Sequence, residues 1–178
     1  MLMKHLVIAI LFTVLAAQGA NAQGTRVCFG DGVDNFCPCG NDNDSSGSLG
    51  NEAGCANSAG LAGCTLDAAS GTNSVSADDL VLCFEGAPAG VPGILYAGTL
   101  SLTSPFGDGI RCCGGNIRRL EVIFTDSSGA GCNTVPIAST SGQTVGDIGC
   151  YQYWYRDPSG PCGSGFNLSN AYEVVWTL

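Results

Sequence analysis

The chain has 178 residues, of which 15 are acidic and six are basic, and its formal net charge at neutral pH is −9. Because nucleic-acid binding depends on clustered positive charge, this balance excludes nucleic acid as an expected partner. The only lysine and the only histidine are Lys4 and His5, so the rest of the chain lacks the commonest general base and transition-metal ligand. We therefore expect no enzyme, with a hydrolase that uses carboxylates alone as the alternative.

The N-terminal segment has the layout of a secretory signal peptide. Lys4 and His5 precede an apolar run over residues 6–17, and Ala20-Asn21-Ala22 supplies small residues for cleavage. The run has about 12 residues, fewer than the roughly 20 that a membrane span needs, and no later segment approaches that length. We expect residues 1–22 to be removed and residues 23–178 to form one domain, secreted or held at the cell surface, without a membrane span.

Residues 23–74 are rich in Gly, Asn, Asp and Ser, which predicts a loop-rich region with one helical turn near residues 51–61. Two acidic stretches in this region suit Ca²⁺, which prefers six to eight oxygen ligands. An EF-type loop that starts at Asp42 fails at its last position, where Ala53 replaces the bidentate Glu. The alternatives are a solvated, disulfide-pinned loop and a calcium site of another geometry. The candidate calcium ligands are Asp31, Asp34, Asp42, Asp44, Ser46 and Glu52.

The 11 cysteines all follow the predicted signal peptide. In an exported protein they indicate a disulfide framework, and a zinc site is disfavoured because no Cys-x-x-Cys pair occurs. Since 11 is odd, at least one thiol is free, bound to a small molecule or linked to another chain. Cys37 and Cys39 are expected to join separate partners because Pro38 stiffens the turn. Cys112 and Cys113 are expected to do the same because successive strand residues point to opposite faces.

From residue 75 the sequence changes to short β-prone runs separated by Gly and Pro. These runs predict an all-β domain, an antiparallel β-sandwich of jelly-roll-like or Ig-like type, with the strand-rich part over residues 75–178. The predicted strands cover residues 80–84, 94–102, 117–125, 134–138, 148–156 and 171–178.

The fifth predicted strand contains four aromatic residues in five positions. Alternation places Tyr151, Tyr153 and Tyr155 on one face and Trp154 and Arg156 on the other. One interpretation is that these rings fill the core and cover a neighbouring strand. The other is a sugar-binding platform formed by Tyr151, Tyr153, Trp154, Tyr155 and Arg156.

Six motifs extend over nearly the whole chain after the predicted signal peptide: CFGDG at 28–32, CPCGND at 37–42, GCANS at 54–58, GDGIRC at 107–112, YQYWYRDP at 151–158 and CGSGFNLSNAYEVVW at 162–176. As a set they resemble the motifs of a family of exported, uncharacterised bacterial proteins from planctomycetes. The resemblance implies a shared all-β exported domain and no catalytic residues. It also implies a common disulfide framework of Cys28, Cys37, Cys39, Cys55, Cys112 and Cys162. The additional cysteines, at which a link between chains is a possibility, are Cys64, Cys83, Cys113, Cys132 and Cys150.

Secretion, abundant cysteine and strand edges that can pair between chains favour a non-catalytic structural or cell-surface protein. Such a protein would associate with itself, as a subunit of a fibre or layer, or with other extracellular surface components. The alternative is an extracellular carbohydrate-binding module, with calcium as the only cofactor considered.

Overall fold

The computed structural model describes residues 24–33, 35–46, 50 and 52–178, so the predicted signal peptide lies outside the described residues. The strands are Gly24–Val27 (β1), Thr65–Ser70 (β2), Val81–Glu85 (β3), Pro92–Gly98 (β4), Leu100–Phe106 (β5), Gly109–Gly114 (β6), Arg118–Phe124 (β7), Gly131–Cys132 (β8), Ile148–Asp157 (β9) and Gly165–Val175 (β10), and the helix is Ile137–Ser141 (α1). The prediction of an all-β, antiparallel, sandwich-like fold is confirmed. Within these ranges, no helix is both long and apolar enough to cross a bilayer.

The central layer is a five-stranded antiparallel sheet with the order β1-β10-β9-β4-β7. The three-stranded sheet β2-β3-β8 and helix α1 cover one face of this layer, which we call the inner face. The hairpin β5-β6 and the N-terminal loops cover part of the opposite face, which we call the outer face. The outer face is therefore partly open, whereas the second sheet and α1 cover the inner face.

The inner face holds the larger core. Tyr151, Tyr153 and Tyr155 of β9 point into it and are 0%, 0% and 1% exposed. Phe84 of β3 stacks on Tyr153 with ring centroids 3.6 Å apart. The hydroxyl of Tyr153 donates to the carbonyl of Ile123 at 2.8 Å. Burial of large side chains with satisfied polar atoms stabilises the contact between the two sheets, by roughly 1.5–3 kcal/mol for each fully buried apolar side chain.

Five disulfides stabilise the fold, and three of them link the N-terminal region, the hairpin and the β9–β10 part of the central sheet to one another. The bridges are Cys28–Cys112, Cys37–Cys55, Cys39–Cys162, Cys83–Cys132 and Cys113–Cys150. Cys37 and Cys39 have separate partners, and so do Cys112 and Cys113, as predicted. The six cysteines that the family resemblance groups together form three of these bridges among themselves.

The odd cysteine is Cys64, which is free and fully buried in the inner core. Burial raises the pKa of its thiol far above the ordinary value, and the nearby Glu85 carboxylate raises it further. The prediction that Cys64, Cys83, Cys113, Cys132 and Cys150 offer a link between chains is therefore wrong for the folded protein. Four of these sulfurs are used inside the chain, and the fifth is not accessible.

The only helix of the described residues lies where a strand was predicted, over part of residues 134–138. Asp78 explains the difference, because its carboxylate accepts the backbone N–H groups of Ala138 at 2.6 Å and Ser139 at 2.9 Å. These donors belong to the first turn of the helix and have no partner within it. The cap comes from a residue 60 positions away, which a local pattern does not show. The helical turn predicted near residues 51–61 is absent from the described residues there.

Candidate functional site

The outer face of β9 presents Gln152, Trp154 and Arg156, while its tyrosines point inward. This alternation was predicted from the sequence and follows from the two-residue period of a strand. Gln152 is fully buried beneath the hairpin. Its amide donates to the carbonyls of Ile110 at 2.8 Å and Ser169 at 2.7 Å. The hairpin therefore closes the outer face at Gln152, and the open part begins at Trp154.

Two adjoining depressions, which we call the Trp154 groove, occupy the open part of the outer face. The first has a volume of about 140 Å³ and is lined by Ile94, Tyr96, Phe106, Arg111, Ile117, Arg119, Trp154 and Leu168. The second has a volume of about 270 Å³ and is lined by Pro92, Gly93, Ile94, Val122, Trp154, Tyr155 and Arg156. Both are mainly apolar, and they share Ile94 and Trp154. No acidic side chain of the described residues lines the groove.

Neighbouring rings hold the half-buried indole of Trp154 in place. Its ring centroid lies 5.6 Å from that of Phe106 and 5.5 Å from that of Phe166, and the Phe166 ring meets it edge-on. Phe106 and Phe166 themselves lie 5.0 Å apart. Gly107 permits this approach, because it adopts a φ of +64° and a Cβ there would lie 2.2 Å from the Phe166 ring. The aromatic wall of the groove is therefore organised before any ligand arrives.

Three of the arginines line the groove. Arg111 and Arg119 border the first depression, and Arg156 borders the second. None of them forms an ion pair within the described part of the chain. Arg26, by contrast, pairs with Glu52 at 2.5 Å and with Asp67 at 2.6 Å. The positive charge around Trp154 is thus not neutralised by the carboxylates that the structure describes.

Arg111 is the most enclosed of the three cations. Its guanidinium carbon lies 5.9 Å from the ring centroid of Phe106, which is within the range of a cation–π contact. Its Nε atom is buried and has no hydrogen-bond partner among the described residues. The neighbouring Tyr96 hydroxyl donates to Gln152 Oε1 at 2.5 Å, and burial raises the pKa of Tyr96 well above its usual range. At neutral pH the first depression therefore combines a cation with an uncharged phenol.

The sugar platform predicted from the aromatic strand is wrong in part. Tyr151, Tyr153 and Tyr155 do not form a binding surface, because the inner face of the sheet is covered by β2-β3-β8. Tyr155 borders the second depression but is almost completely buried. Trp154 and Arg156 do line the groove.

The groove also contains residues that the sequence analysis did not identify. Phe106, Arg111 and Arg119 come from the hairpin and from β7. Arg111 precedes Cys112, whose place in the framework was predicted, but its position beside Trp154 depends on how the hairpin crosses the sheet.

The predicted calcium ligands are engaged in local contacts. Asp31 accepts the N–H of Val33 at 3.0 Å, Asp42 that of Cys37 at 2.8 Å and Asp44 that of Ser46 at 3.0 Å. Such contacts are typical of Asx turns and loop-closing carboxylates.

Glu52, the remaining described acidic candidate, pairs with Arg26 and does not join the other candidates. Asp34 lies outside the described residues. No group of three or more His, Cys, Asp or Glu side chains suited to a metal occurs among the residues that the structure describes. The geometry of these residues therefore gives the calcium hypothesis no support.

Two other carboxylates, those of Asp108 and Asp157, approach each other beside Gly160, and both residues are fully buried. A Cβ on Gly160 would lie 2.2 Å from Asp108 Oδ2 and 2.8 Å from Asp157 Oδ2. Asp108 accepts the backbone N–H groups of Cys162 at 3.1 Å and Ser164 at 2.9 Å. Asp157 accepts the N–H of Ser58 at 3.1 Å. The pair thus holds the loop between β9 and β10 against the N-terminal region.

The Trp154 groove offers flat apolar rings, buried aliphatic contacts and guanidinium donors on one open face. This combination suits reversible binding of an elongated ligand with both apolar and polar surfaces. Comparison of the chain with protein-family models, with curated proteins and with solved structures finds no match.

Proposed function

We propose that this chain is an extracellular, non-catalytic β-sandwich module that binds carbohydrate in the Trp154 groove. The observation that carries the proposal is the half-buried indole of Trp154, which lies between two adjoining apolar depressions and is held there by Phe106 and Phe166. A sugar ring has an apolar face that can pack on such a ring and hydroxyl groups that can accept hydrogen bonds from arginine.

The shape of the groove favours an extended saccharide over a compact small molecule. Neither depression reaches the 300–1,000 Å³ that is typical of pockets for drug-sized ligands. They adjoin through Ile94 and Trp154, so a chain of sugar rings can occupy both. Little ordering of the protein is needed on binding, because disulfides and aromatic contacts already fix the walls.

The non-catalytic part of the proposal is supported by the roles of the buried carboxylates. Asp108 and Asp157 are buried carboxylates that approach each other beside Gly160, and both accept backbone N–H groups. Neither lines a depression. A glycosidase needs a pair of carboxyl groups that flanks the scissile bond.

Binding to a glycan array tests the proposal, with wild-type protein compared with Trp154→Ala. We expect wild type to bind at least one class of oligosaccharide and Trp154→Ala to lose most of that affinity. Truncation of a central aromatic anchor in an interface costs about 2 kcal/mol or more, which corresponds to roughly 30-fold in affinity. Phe124→Ala is the matched control, because Phe124 is an exposed aromatic residue of β7 that lines neither depression.

Trp154→Phe separates loss of binding from loss of folding. It keeps an aromatic ring beside Phe106 and Phe166 but removes the larger indole surface, so its affinity should lie between those of wild type and Trp154→Ala. Circular dichroism and thermal melts establish that each variant is folded. Binding that is equal in wild type, Trp154→Phe and Trp154→Ala would contradict the proposal, as would the absence of any glycan binding by wild type.

A second candidate function, a self-assembling subunit of an extracellular layer or fibre, is favoured by the edge strand β7. This strand ends the five-stranded sheet and carries Val122 and Phe124, which are 62% and 66% exposed. Exposed apolar residues on an edge strand promote pairing with another chain. Because Cys64 is buried and the other cysteines form internal bridges, such assembly would be non-covalent.

Sedimentation and electron microscopy over a range of protein concentrations test the assembly hypothesis. We expect concentration-dependent oligomers that disappear in Val122→Lys/Phe124→Lys, since charged residues on an edge block pairing. A chain that stays monomeric at the highest concentration, with wild type and variant indistinguishable, would rule out this function.

A further inference from the structure

We propose that the Trp154 groove selects acidic glycans, whose sugar rings carry carboxylate or sulfate groups. This inference rests on the proposed function, because it concerns the ligand class of the same groove. It is motivated by a contrast of charge: the protein as a whole is strongly acidic, yet three arginines line the groove and none of the acidic residues that the structure describes does so.

The placement of these cations is unusual for a chain with 15 acidic and six basic residues. Acidic partners are abundant, and Arg26 engages two of them at once. Arg111, Arg119 and Arg156 nevertheless form no ion pair with any described carboxylate. Unpaired guanidinium groups around an apolar wall are complementary to an anionic ligand that also has apolar faces.

Arg111 provides an observation that is independent of the surface charges. Its Nε is buried and has no hydrogen-bond partner among the described residues, although a buried donor is normally satisfied. The guanidinium lies against Phe106 and borders the first depression together with Arg119. An anionic oxygen in this depression would accept hydrogen bonds from the terminal guanidinium N–H groups of Arg111 and Arg119, since the buried Nε itself presents no surface to a ligand.

The net negative charge of the protein does not prevent such binding at physiological salt. The Debye length is about 8 Å at that ionic strength, so exposed acidic residues beyond this distance are largely screened. The arginines lie in the lining of the groove and would contact the ligand directly. Local attraction therefore outweighs long-range repulsion, and the affinity should fall as salt concentration rises.

Matched pairs of ligands test charge selectivity while the sugar chain stays constant. Titration calorimetry of the full chain compares an oligogalacturonate with its methyl-esterified form, and a sulfated galactan oligosaccharide with its desulfated form. We expect the charged member of at least one pair to bind at least tenfold more tightly than the neutral member. Preference in the first pair identifies carboxylate as the recognised group, and preference in the second identifies sulfate.

Neighbouring arginines of β7 supply a matched control for the protein. Arg119→Gln/Arg156→Gln should lower the affinity for the charged ligand at least tenfold and leave that for the neutral ligand unchanged. Arg118→Gln should change neither, because Arg118 directs its guanidinium to the carbonyl of Thr140 at 3.4 Å and lines neither depression. Both variants keep the indole of Trp154 and alter only exposed side chains, and thermal melts establish their folding.

Two results would overturn the inference, and they differ in what they imply for the proposed function. Equal affinity for charged and neutral ligands, unchanged in Arg119→Gln/Arg156→Gln but reduced in Trp154→Ala, would overturn the acidic selectivity and leave carbohydrate binding supported. No binding of any of the four ligands, together with an empty glycan array, would overturn both.

Discussion

At the scale of single residues, the loop between β9 and β10 depends on atoms that approach one another closely around Gly160. The buried carboxylates of Asp108 and Asp157 both face this glycine and accept backbone N–H groups from the surrounding loops. Buried carboxylates are tolerated only when hydrogen bonds replace their hydration. A side chain at residue 160 would separate the two carboxylates from these partners.

We expect Gly160→Ala to destabilise the protein by about 1–3 kcal/mol, the usual cost of inserting a methyl group into a filled site. The new Cβ would lie 2.2 Å from Asp108 Oδ2, and the aspartate cannot retreat without losing its donors. Denaturant unfolding measures the change. Gly60→Ala is the matched control, because a Cβ at that turn glycine would meet no atom within 4 Å. Equal stability of the two variants would show that the carboxylates adjust freely.

The importance of Gly160 could not be predicted from the sequence. The motif around residues 151–158 places Asp157 at the end of the aromatic strand, and the motif at residues 107–112 contains Asp108. Nothing in the local pattern indicates that these two segments meet, because the contact depends on the crossing of the hairpin over the sheet. Glycine frequency gave no help either, since the chain contains 27 glycines.

At the scale of elements, strand β9 contributes one face to the inner core and the other face to the groove that we propose as the binding site. Its tyrosines point into the inner core, and its outer residues form the centre of the groove. A two-residue period fixes which residues share a face, so this division could be predicted. The sequence does not indicate which face a second sheet covers, so the pattern alone leaves the tyrosines among the candidate ligand contacts.

The buried tyrosines predict a loss of stability at alkaline pH. Burial raises the pKa of Tyr151 to about 12, and desolvation also raises the pKa values of Tyr153 and Tyr155. The neutral phenols contribute stability that is fully present below the unfolded-state pKa of about 10. This stability is lost as the pH rises from about 10 to about 12, because the unfolded state then releases protons that the folded state retains.

Near-ultraviolet absorbance of phenolate, followed with circular dichroism as the pH rises, checks this prediction. We expect native protein to show almost no ionisation at a pH where denatured protein is half-ionised, and then to ionise together with unfolding. Tyr96 and Tyr172 also have raised pKa values, so all five tyrosines should ionise at a higher pH in the folded protein than in the denatured protein. Free titration of several tyrosines near pH 10 in folded protein would be incompatible with the packing of β9.

At the scale of the whole molecule, disulfides position the outer layer over the central sheet. Cys28–Cys112 and Cys113–Cys150 attach β6 from both sides, and Cys39–Cys162 ties the N-terminal loops to the β9–β10 connection. The existence of a framework and the separate partners of adjacent cysteines followed from composition and strand geometry. The individual pairings did not, because sequence spacing alone leaves many connectivities open.

Replacing both cysteines of the Cys39–Cys162 bridge by serine should destabilise the chain by about 2–5 kcal/mol. The matched control is the corresponding double variant of Cys83–Cys132. Its cysteines are 49 residues apart, and no other bridge shortens that loop appreciably. The bridges Cys28–Cys112 and Cys113–Cys150, by contrast, already reduce the path from Cys39 to Cys162 to roughly 24 residues, so Cys39–Cys162 closes the shorter loop and should contribute about 0.6 kcal/mol less in the chain-entropy model. Denaturant unfolding under non-reducing conditions measures both. A larger loss from the shorter loop would indicate that strain or packing, and not loop closure, determines the contribution of these bridges.

The central claim is that ligand binds on the outer face at Trp154, and the two indole N–H resonances of the chain test it directly. Trp176 is buried on the opposite side, where its Nε1 donates to the Tyr151 hydroxyl at 2.9 Å, and it serves as an internal reference. The assignment follows from Trp154→Phe, which removes one of the two signals. Titration with the oligosaccharide that binds most tightly should shift the Trp154 resonance progressively and leave that of Trp176 in place. An unchanged Trp154 resonance at saturating ligand would contradict the claim.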